Sequence, residues 1–149
     1  MSDTEKQVQQ VFEAYKSAVR AKDVEAFMRV YDPSVRVFDT WGVWSYEGAS
    51  AWRVAVEGWF TSLGAEGVRV EFEDVQIIAD KESAPVSAFV SAIVTYAGVS
   101  AEGEELRAMQ NRISWALKMR GHVLRVVHEH TSAPVGFDDM KAMLHRKAP

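Results

Sequence analysis

The chain has 149 residues, of which 48% are apolar and 26% charged, a composition that excludes disordered and collagen-like classes. The 17 Lys and Arg residues against 21 Asp and Glu give a net charge of −4, which disfavours nucleic acid and anionic membranes as partners. No cysteine is present, so disulfides and cysteine-bound metals are excluded. The N-terminus lacks the pattern of a signal peptide, and no apolar run approaches the ~20 residues that span a bilayer. We therefore expect one cytoplasmic domain covering residues 1–149.

Three helices are predicted in the first half of the chain. Ser2 and Glu5 have the spacing of a capping box, and apolar residues follow at helical spacing, which predicts a helix over 4–21. A second helix is predicted over 24–31, because Pro33 would end it. The other elements of this half are a short strand at 35–39, an aromatic loop at 40–46 and a third helix from Gly48 to Gly64.

The second half of the chain has the period-two pattern of strands. A change of parity near Glu73-Asp74 indicates a bulge in the first of them. Helices followed by four long antiparallel strands predict an α+β fold, in which the N-terminal helices pack on one face of a curved sheet and close a cone-shaped pocket. The predicted strands are 68–79, 86–100, 104–120 and 122–134, and an amphipathic segment follows at 137–146.

Two of these strands place polar side chains on an otherwise apolar face. On the third strand the odd-numbered positions are mostly apolar, so Asn111 is expected to point inward, where its amide needs a partner. That partner is either a neighbouring loop or a ligand. On the last strand, alternation places His128 and His130 on the same face as Val126, with Glu129 on the other. Both imidazoles are therefore predicted to point inward, as core residues, as acid–base groups or as half of a metal site that lacks a third ligand.

Asp39 and the loop after it are the other candidates for a functional site. A carboxylate between Phe38 and Trp41 is desolvated, which raises its pKa and suits proton transfer, although Asp-Thr is also ordinary turn chemistry. Aromatic residues in a loop often line ligand sites. The candidate ligand-binding residues are Trp41, Trp44, Tyr46, Trp59, Asn111, Trp115 and His130.

Three segments carry a resemblance to a known family: AYKSAVRAKDVEAFMRVYDPSVRVFDTWG, YEGASAWRVAVEGWF and HVLRVVHEHTSAP. Over residues 5–134 the chain resembles the nuclear transport factor 2-like superfamily, in its ketosteroid-isomerase-like and SnoaL-like branches. It is similar also to the calmodulin-dependent kinase association domain. The resemblance implies a cystatin-like α+β roll. It implies no cofactor and no metal. The chain also lacks the common nucleotide-binding motifs.

The resemblance also implies roles for particular residues. Tyr15 matches the tyrosine that donates to the oxyanion in steroid isomerases, and Asp39 matches their catalytic base. Their second oxyanion donor is a carboxylic acid, but Ile113 stands at that position here, and Asn111 or His128 would have to replace it. The implied function is binding of a small apolar or aromatic carbonyl compound by an isomerase or cyclase, with Asp39, Tyr15 and His128 as catalytic residues. The alternative is a non-catalytic binding or association module, whose cone would be filled by aromatic side chains.

The outer face of the predicted sheet indicates a homodimer. Because of Val123 and Val127, this face is more apolar and less charged than a freely solvated sheet face. The residues predicted on it are Gln110, Arg112, Ser114 and Ala116 on the third strand, and Val123, Arg125, Val127, Glu129 and Thr131 on the last. A self-complementary patch of this kind pairs about a two-fold axis, and relatives of this fold commonly pair through it. The alternative is a monomer whose outer face is partly covered by segment 137–146.

Overall fold

The computed structural model describes residues 2–80, 82 and 87–146. Three helices in this part of the chain are α1 (Asp3–Ala21), α2 (Val24–Met28) and α3 (Ala49–Ser62). None of the described helices combines the length and apolarity needed to cross a membrane. The strands are β1 (Tyr31–Phe38), β2 (Tyr46–Glu47), β3 (Gly67–Asp80), β4 (Ser87–Val99), β5 (Glu105–Arg120) and β6 (Val123–Ser132).

The strands form one curved sheet in the order β2-β1-β6-β5-β4-β3. Strands β3 to β6 are the predicted antiparallel meander, and the N-terminal helices pack on its inner face, so the predicted α+β fold is confirmed. The predicted short strand joins the free edge of β6. It runs parallel to β6, so the expectation of a purely antiparallel sheet is wrong for this one pair.

The start of β1 corrects the second predicted helix. That helix ends at Met28, and Tyr31 already belongs to the strand. The backbone N–H of Val126 donates to the carbonyl of Val30 at 2.9 Å, and Tyr31 pairs with Val126 in the sheet. Pairing with β6 therefore overrides the helical pattern at this point, and it buries the Tyr31 ring.

The amphipathic pattern of the C-terminal segment suggests that one apolar face is buried, but the structure does not bury this face. Phe137 is 96% exposed and Met140 is 77% exposed, and the chain folds back on itself through an isolated bridge between Val135 and Ala142. Beyond that bridge the segment lies along β5, where the backbone N–H of Gln110 donates to a backbone carbonyl of the segment at 2.7 Å.

Two bulges adjust the register of the meander. The bulge predicted near Glu73-Asp74 is confirmed, because the pairing of β3 with β4 shifts there and Asp74 has a φ of 53°. Of the predicted strand 86–100, residue 86 lies outside the described residues. The second bulge was not predicted: Ala116 pairs with His128 but Leu117 pairs with Val126, so Val127 is an extra residue in β6.

The second bulge reverses the faces of the last strand. Before it, Leu124 and Val126 are buried against the helices; after it, Glu129 and Thr131 are buried instead. The prediction that both imidazoles point inward is therefore wrong. His128 and His130 lie on the outer face of the sheet, with their rings 5.0 and 5.4 Å, respectively, from that of Phe38.

An aromatic cluster around Phe27 fixes the helices to the sheet. The Phe27 ring is fully buried and lies 5.0 Å from the ring of Tyr15, 5.3 Å from that of Tyr31 and 5.7 Å from that of Phe60. These contacts connect α2 to α1, β1 and α3 at once. Ring pairs of this kind stabilise a core beyond the effect of burial alone, so the cluster stabilises the packing of the elements that surround the cone.

Candidate functional site

A cavity of about 720 Å³ opens between the helices and the inner face of the sheet. Its wall is mostly aromatic and aliphatic, with a small number of convergent polar groups, as is common in small-molecule sites. It has contributions from α1, α3, the loop after β1 and the inner faces of β3 to β6. The polar lining residues that matter below are Tyr15, Asp39, Tyr96, Asn111 and Glu129.

Glu129 is the buried carboxyl group of this cavity. It is 2% exposed, and two donors meet its Oε1 atom: the Tyr31 hydroxyl at 2.6 Å and the Trp115 indole N–H at 2.9 Å. Burial raises the pKa of Glu129 to about 7, the negative charge of Asp39 adds to this, and the two hydrogen bonds only partly offset it. The carboxyl group therefore changes its protonation state near neutral pH rather than well below it.

Asp39 lies beside it, directly after β1. Its Oδ1 accepts a hydrogen bond from the Thr131 hydroxyl at 3.2 Å. Burial raises the pKa of Asp39, while that hydroxyl and the backbone N–H groups of Thr40 and Trp41 act in the opposite direction. The two interpretations of Asp39 from the sequence are thus compatible, because its carboxylate is both desolvated and bonded to the following turn.

Two tyrosines supply hydroxyl groups to the same cavity. The hydroxyls of Tyr15 in α1 and Tyr96 in β4 are 2.8 Å apart, and burial is the main cause that raises both pKa values above the ordinary range. Each hydroxyl has one hydrogen to donate, and the bond between them uses one of the two. The pair therefore retains one O–H that can donate to a third group.

Asn111 lies farther along the wall and is 5% exposed. Its Oδ1 is buried and has no hydrogen-bond partner among the residues that the structure describes. Among the same residues, the indole N–H of Trp52 also lacks a hydrogen bond of normal geometry. It lies close enough to the Tyr31 hydroxyl to act on the pKa of that group, which it lowers.

The structure places the residues predicted from the sequence in four different environments. Trp44 is 97% exposed and does not line the cavity, whereas Trp115 is 1% exposed and lies behind Glu129. On the outer face, the Nδ1 atom of His128 lies 2.7 Å from the carbonyl oxygen of Arg36. The predicted residues that do line the cavity are Tyr15, Asp39, Trp41, Tyr46, Trp59 and Asn111.

Sequence reasoning missed Tyr96 and Glu129. Tyr96 lies on the inward face of β4 among small and branched apolar residues. A hydroxyl group among such residues is the feature of the sequence that could have identified it as a site residue. Glu129 is assigned to the outer face if strict alternation is extended through β6. The consecutive apolar residues Val126 and Val127 were the available signal of a break in that alternation.

The cavity has few charged groups besides its two carboxyls. Among the described residues, no group of three or more His, Asp or Glu side chains could hold a metal ion. The basic residue that reaches the lining, Arg107, is 64% exposed at its side chain, and its guanidinium is bound to Glu66. The described interior of the site is thus acidic and is not balanced by a buried cation.

Comparison with known proteins agrees with this architecture. The model of the SnoaL-like domain family matches residues 8–136. The chain belongs to this family. An NTF2-like protein of unknown function from Pseudomonas putida KT2440 has 21% identity and a TM-score of 0.81, over 97% of this chain and 96% of that one.

Two further solved structures share the fold of this SnoaL-like protein at low identity. Aln2 from a Streptomyces species has 14% identity and a TM-score of 0.78, over 89% of this chain and 91% of that one. The association domain of C. elegans CaMKII has 19% identity and a TM-score of 0.67, over 87% and 95%. No curated protein sequence matches the chain.

The raised pKa of Glu129 predicts that stability falls as pH rises. A buried carboxyl whose pKa lies near 7 in the folded state and near 4.5 when unfolded favours folding at low pH, and this contribution is lost between those two values. Relative to Glu129→Gln, the wild type should lose ~3 kcal/mol of unfolding free energy between pH 4 and pH 8. Urea titrations at several pH values measure this difference. Glu13→Gln, on the exposed face of α1, is the control, and a difference independent of pH would contradict the prediction.

Proposed function

We propose that this SnoaL-like protein binds a small apolar or aromatic carbonyl compound and moves a proton at the carbon next to the carbonyl group. The observation that supports this most is the convergence of two desolvated carboxyl groups and one tyrosine pair on a cavity of about 720 Å³. Bases and hydrogen-bond donors meeting in an apolar pocket are what enolisation requires.

Asp39 is the proposed base. Its burial raises its pKa and so makes the carboxylate a stronger base than an exposed one. As it removes a proton, negative charge develops on the carbonyl oxygen of the ligand. The remaining O–H of the Tyr15–Tyr96 pair donates to that oxygen and stabilises the charge.

Glu129 is proposed as the second donor, in the role that the family resemblance assigns to a carboxylic acid. The residue at the expected position is Ile113, and His128 points away from the cavity. Glu129 faces the cavity, and both donors that it has among the described residues bind Oε1, so its protonated form leaves an O–H at Oε2 for a ligand. Both donors would then act on the same developing charge.

Non-catalytic association is the alternative function. In that case aromatic side chains, including Trp59 and Trp115, would fill the cone. A cavity of about 720 Å³, with Trp59 in its wall and Trp115 behind it, favours a ligand site over a filled core. Binding without catalysis differs from the proposed function in one measurable respect, which is proton exchange.

The proposed proton transfer predicts deuterium exchange into a ketone. With 2-acetylnaphthalene in D₂O, the wild type should catalyse deuteration of the methyl group, and Asp39→Asn should slow it by about 10²-fold or more because the base is lost. Mass spectrometry or proton NMR measures the rate. Asp138→Asn, an exposed carboxylate in the C-terminal segment, is the matched control. Exchange at an unchanged rate in Asp39→Asn would refute the role of this residue. Absence of exchange in the wild type would contradict catalysis and leave ligand binding as the remaining function.

We also propose a homodimer formed through the outer face of the sheet. Two adjacent rows of side chains cross this face and contain no Asp, Glu, Lys or Arg, which suits sheet-to-sheet packing. The bulge in β6 changes the predicted membership of the face, since His128 and His130 replace Glu129 and Thr131. The two rows are Ile78, Phe89, Ala116 and His128, and Gln76, Ser91, Ser114 and His130.

The dimer predicts a mass of about 33 kDa in solution, twice the 16.7 kDa of one chain. Ala116 lies near the middle of the first row, so Ala116→Arg should place two like charges in the interface and reduce the mass to that of one chain. Light scattering at micromolar concentration measures it. Ala14→Arg, on the exposed face of α1, should remain dimeric. A wild type of 16.7 kDa would contradict the dimer.

A further inference from the structure

The amide oxygen of Asn111 is a buried polar atom that none of the described residues pairs. In β5 it occupies an inward position between Met109 and Ile113, and it pairs across the sheet with Val94. It is 5% exposed and lines the cavity, yet its Oδ1 meets no donor among the described residues. A buried polar atom without a partner destabilises the folded protein, and a leucine of similar shape would avoid this cost. An amide at this position is therefore better explained by a ligand than by packing.

The chemistry of the amide indicates what that ligand offers. Rotation about the last side-chain bond exchanges Oδ1 and Nδ2, so either an acceptor or a donor can be turned to the cavity. A hydroxyl group both donates and accepts, and it can pair with the amide in either orientation. An ether oxygen accepts only and leaves Oδ1 unpaired.

The charges around the cavity restrict the ligand further. Asp39 and Glu129 both lie in its wall, and the guanidinium of Arg107 at the rim is already bound to Glu66. A carboxylate ligand would lose its hydration and meet the charge of Asp39 without a buried cation to balance it. The site therefore favours uncharged ligands over organic acids.

The spacing along β5 sets a minimum size. Trp115, which holds Glu129 through its indole N–H, is four residues from Asn111 on the same strand face. At the usual rise per residue, these positions are ~13 Å apart along the strand. Glu129 pairs with Trp115 across the sheet, so it lies at about the same distance from Asn111 as Trp115 does. A molecule that spans most of this distance is larger than a single six-membered ring.

We propose that Asn111 determines specificity by binding a hydroxyl group on an uncharged carbonyl compound of two or more fused rings. The inference deepens the proposed function and rests on it: the carbonyl lies at the Tyr15, Tyr96 and Glu129 end, and the hydroxyl lies at Asn111. Asn111 is a recognition group and has no part in the proton transfer.

Three matched naphthalene probes test this assignment by binding rather than turnover. They are 6-hydroxy-2-acetylnaphthalene, its 6-methoxy analogue and 6-hydroxy-2-naphthoic acid, and calorimetry at pH 7 measures their affinities. The wild type should bind the hydroxy ketone about 10-fold more tightly than the methoxy ketone, because the methoxy group leaves the amide unpaired. The naphthoate should bind more weakly than the hydroxy ketone by a similar factor.

Asn111→Leu should reduce the preference for the hydroxy over the methoxy ketone to about one. The matched control is Gln110→Leu, the same change at the neighbouring position, whose amide lies on the opposite face of β5 and is already bonded to Glu73 and Thr95. This control should keep the preference of the wild type. Without ligand, Asn111→Leu should melt ~2–4 °C above the wild type, since it removes an unpaired buried group.

Two results would overturn the assignment while the proposed function stands. The first is equal affinity of the wild type for the two ketones. The second is a melting temperature of Asn111→Leu below that of the wild type, which would show that the amide has a structural partner. Failure of all three probes to bind the wild type at millimolar concentration would overturn the small-molecule site itself, and this inference with it.

Discussion

The buried carboxyl of Glu129 is the constraint on which the arrangement of the site depends. Tyr31 and Trp115 both direct donors at one of its oxygen atoms, and these residues come from β1 and β5 on either side of β6. The extra residue Val127 is what turns Glu129 inward between them. The start of β1, the bulge in β6 and the Trp115 ring are therefore connected through a single hydrogen-bonded group.

Such a group is costly for a protein of this size. A leucine would fill the same space without desolvating a carboxylate. The unpaired Oδ1 of Asn111 adds a further cost in the same cavity. Polar groups that disfavour folding and that converge on a cavity are typical of functional sites. In the proposed mechanism the cost has a use, because desolvation strengthens Asp39 as a base and keeps Glu129 partly protonated near neutral pH.

Most of the fold was predictable because it rests on local periodicity. The capped first helix, the inward face of β5 from Asn111 to Met119 and the bulge at Asp74 all follow from spacing along the chain. The errors occur where tertiary pairing decides. Tyr31 is helical by pattern but extended in the sheet, and the bulge at Val127 exchanges two histidines for one glutamate in the cavity. A shift of one residue in a strand reverses every later side chain, so sequence alone placed the two histidines, instead of Glu129, on the inner face of the sheet.

The most direct test of this account is a carbon-13 NMR titration of the side-chain carboxyl of Glu129 in the folded protein. Glu129→Gln identifies its resonance by the loss of that signal. The account predicts a midpoint near pH 7, because the group is desolvated and close to the charge of Asp39. A midpoint near 4.5, the ordinary value for a solvated glutamate, would show that Glu129 is not buried in the cavity wall and would contradict the proposed site.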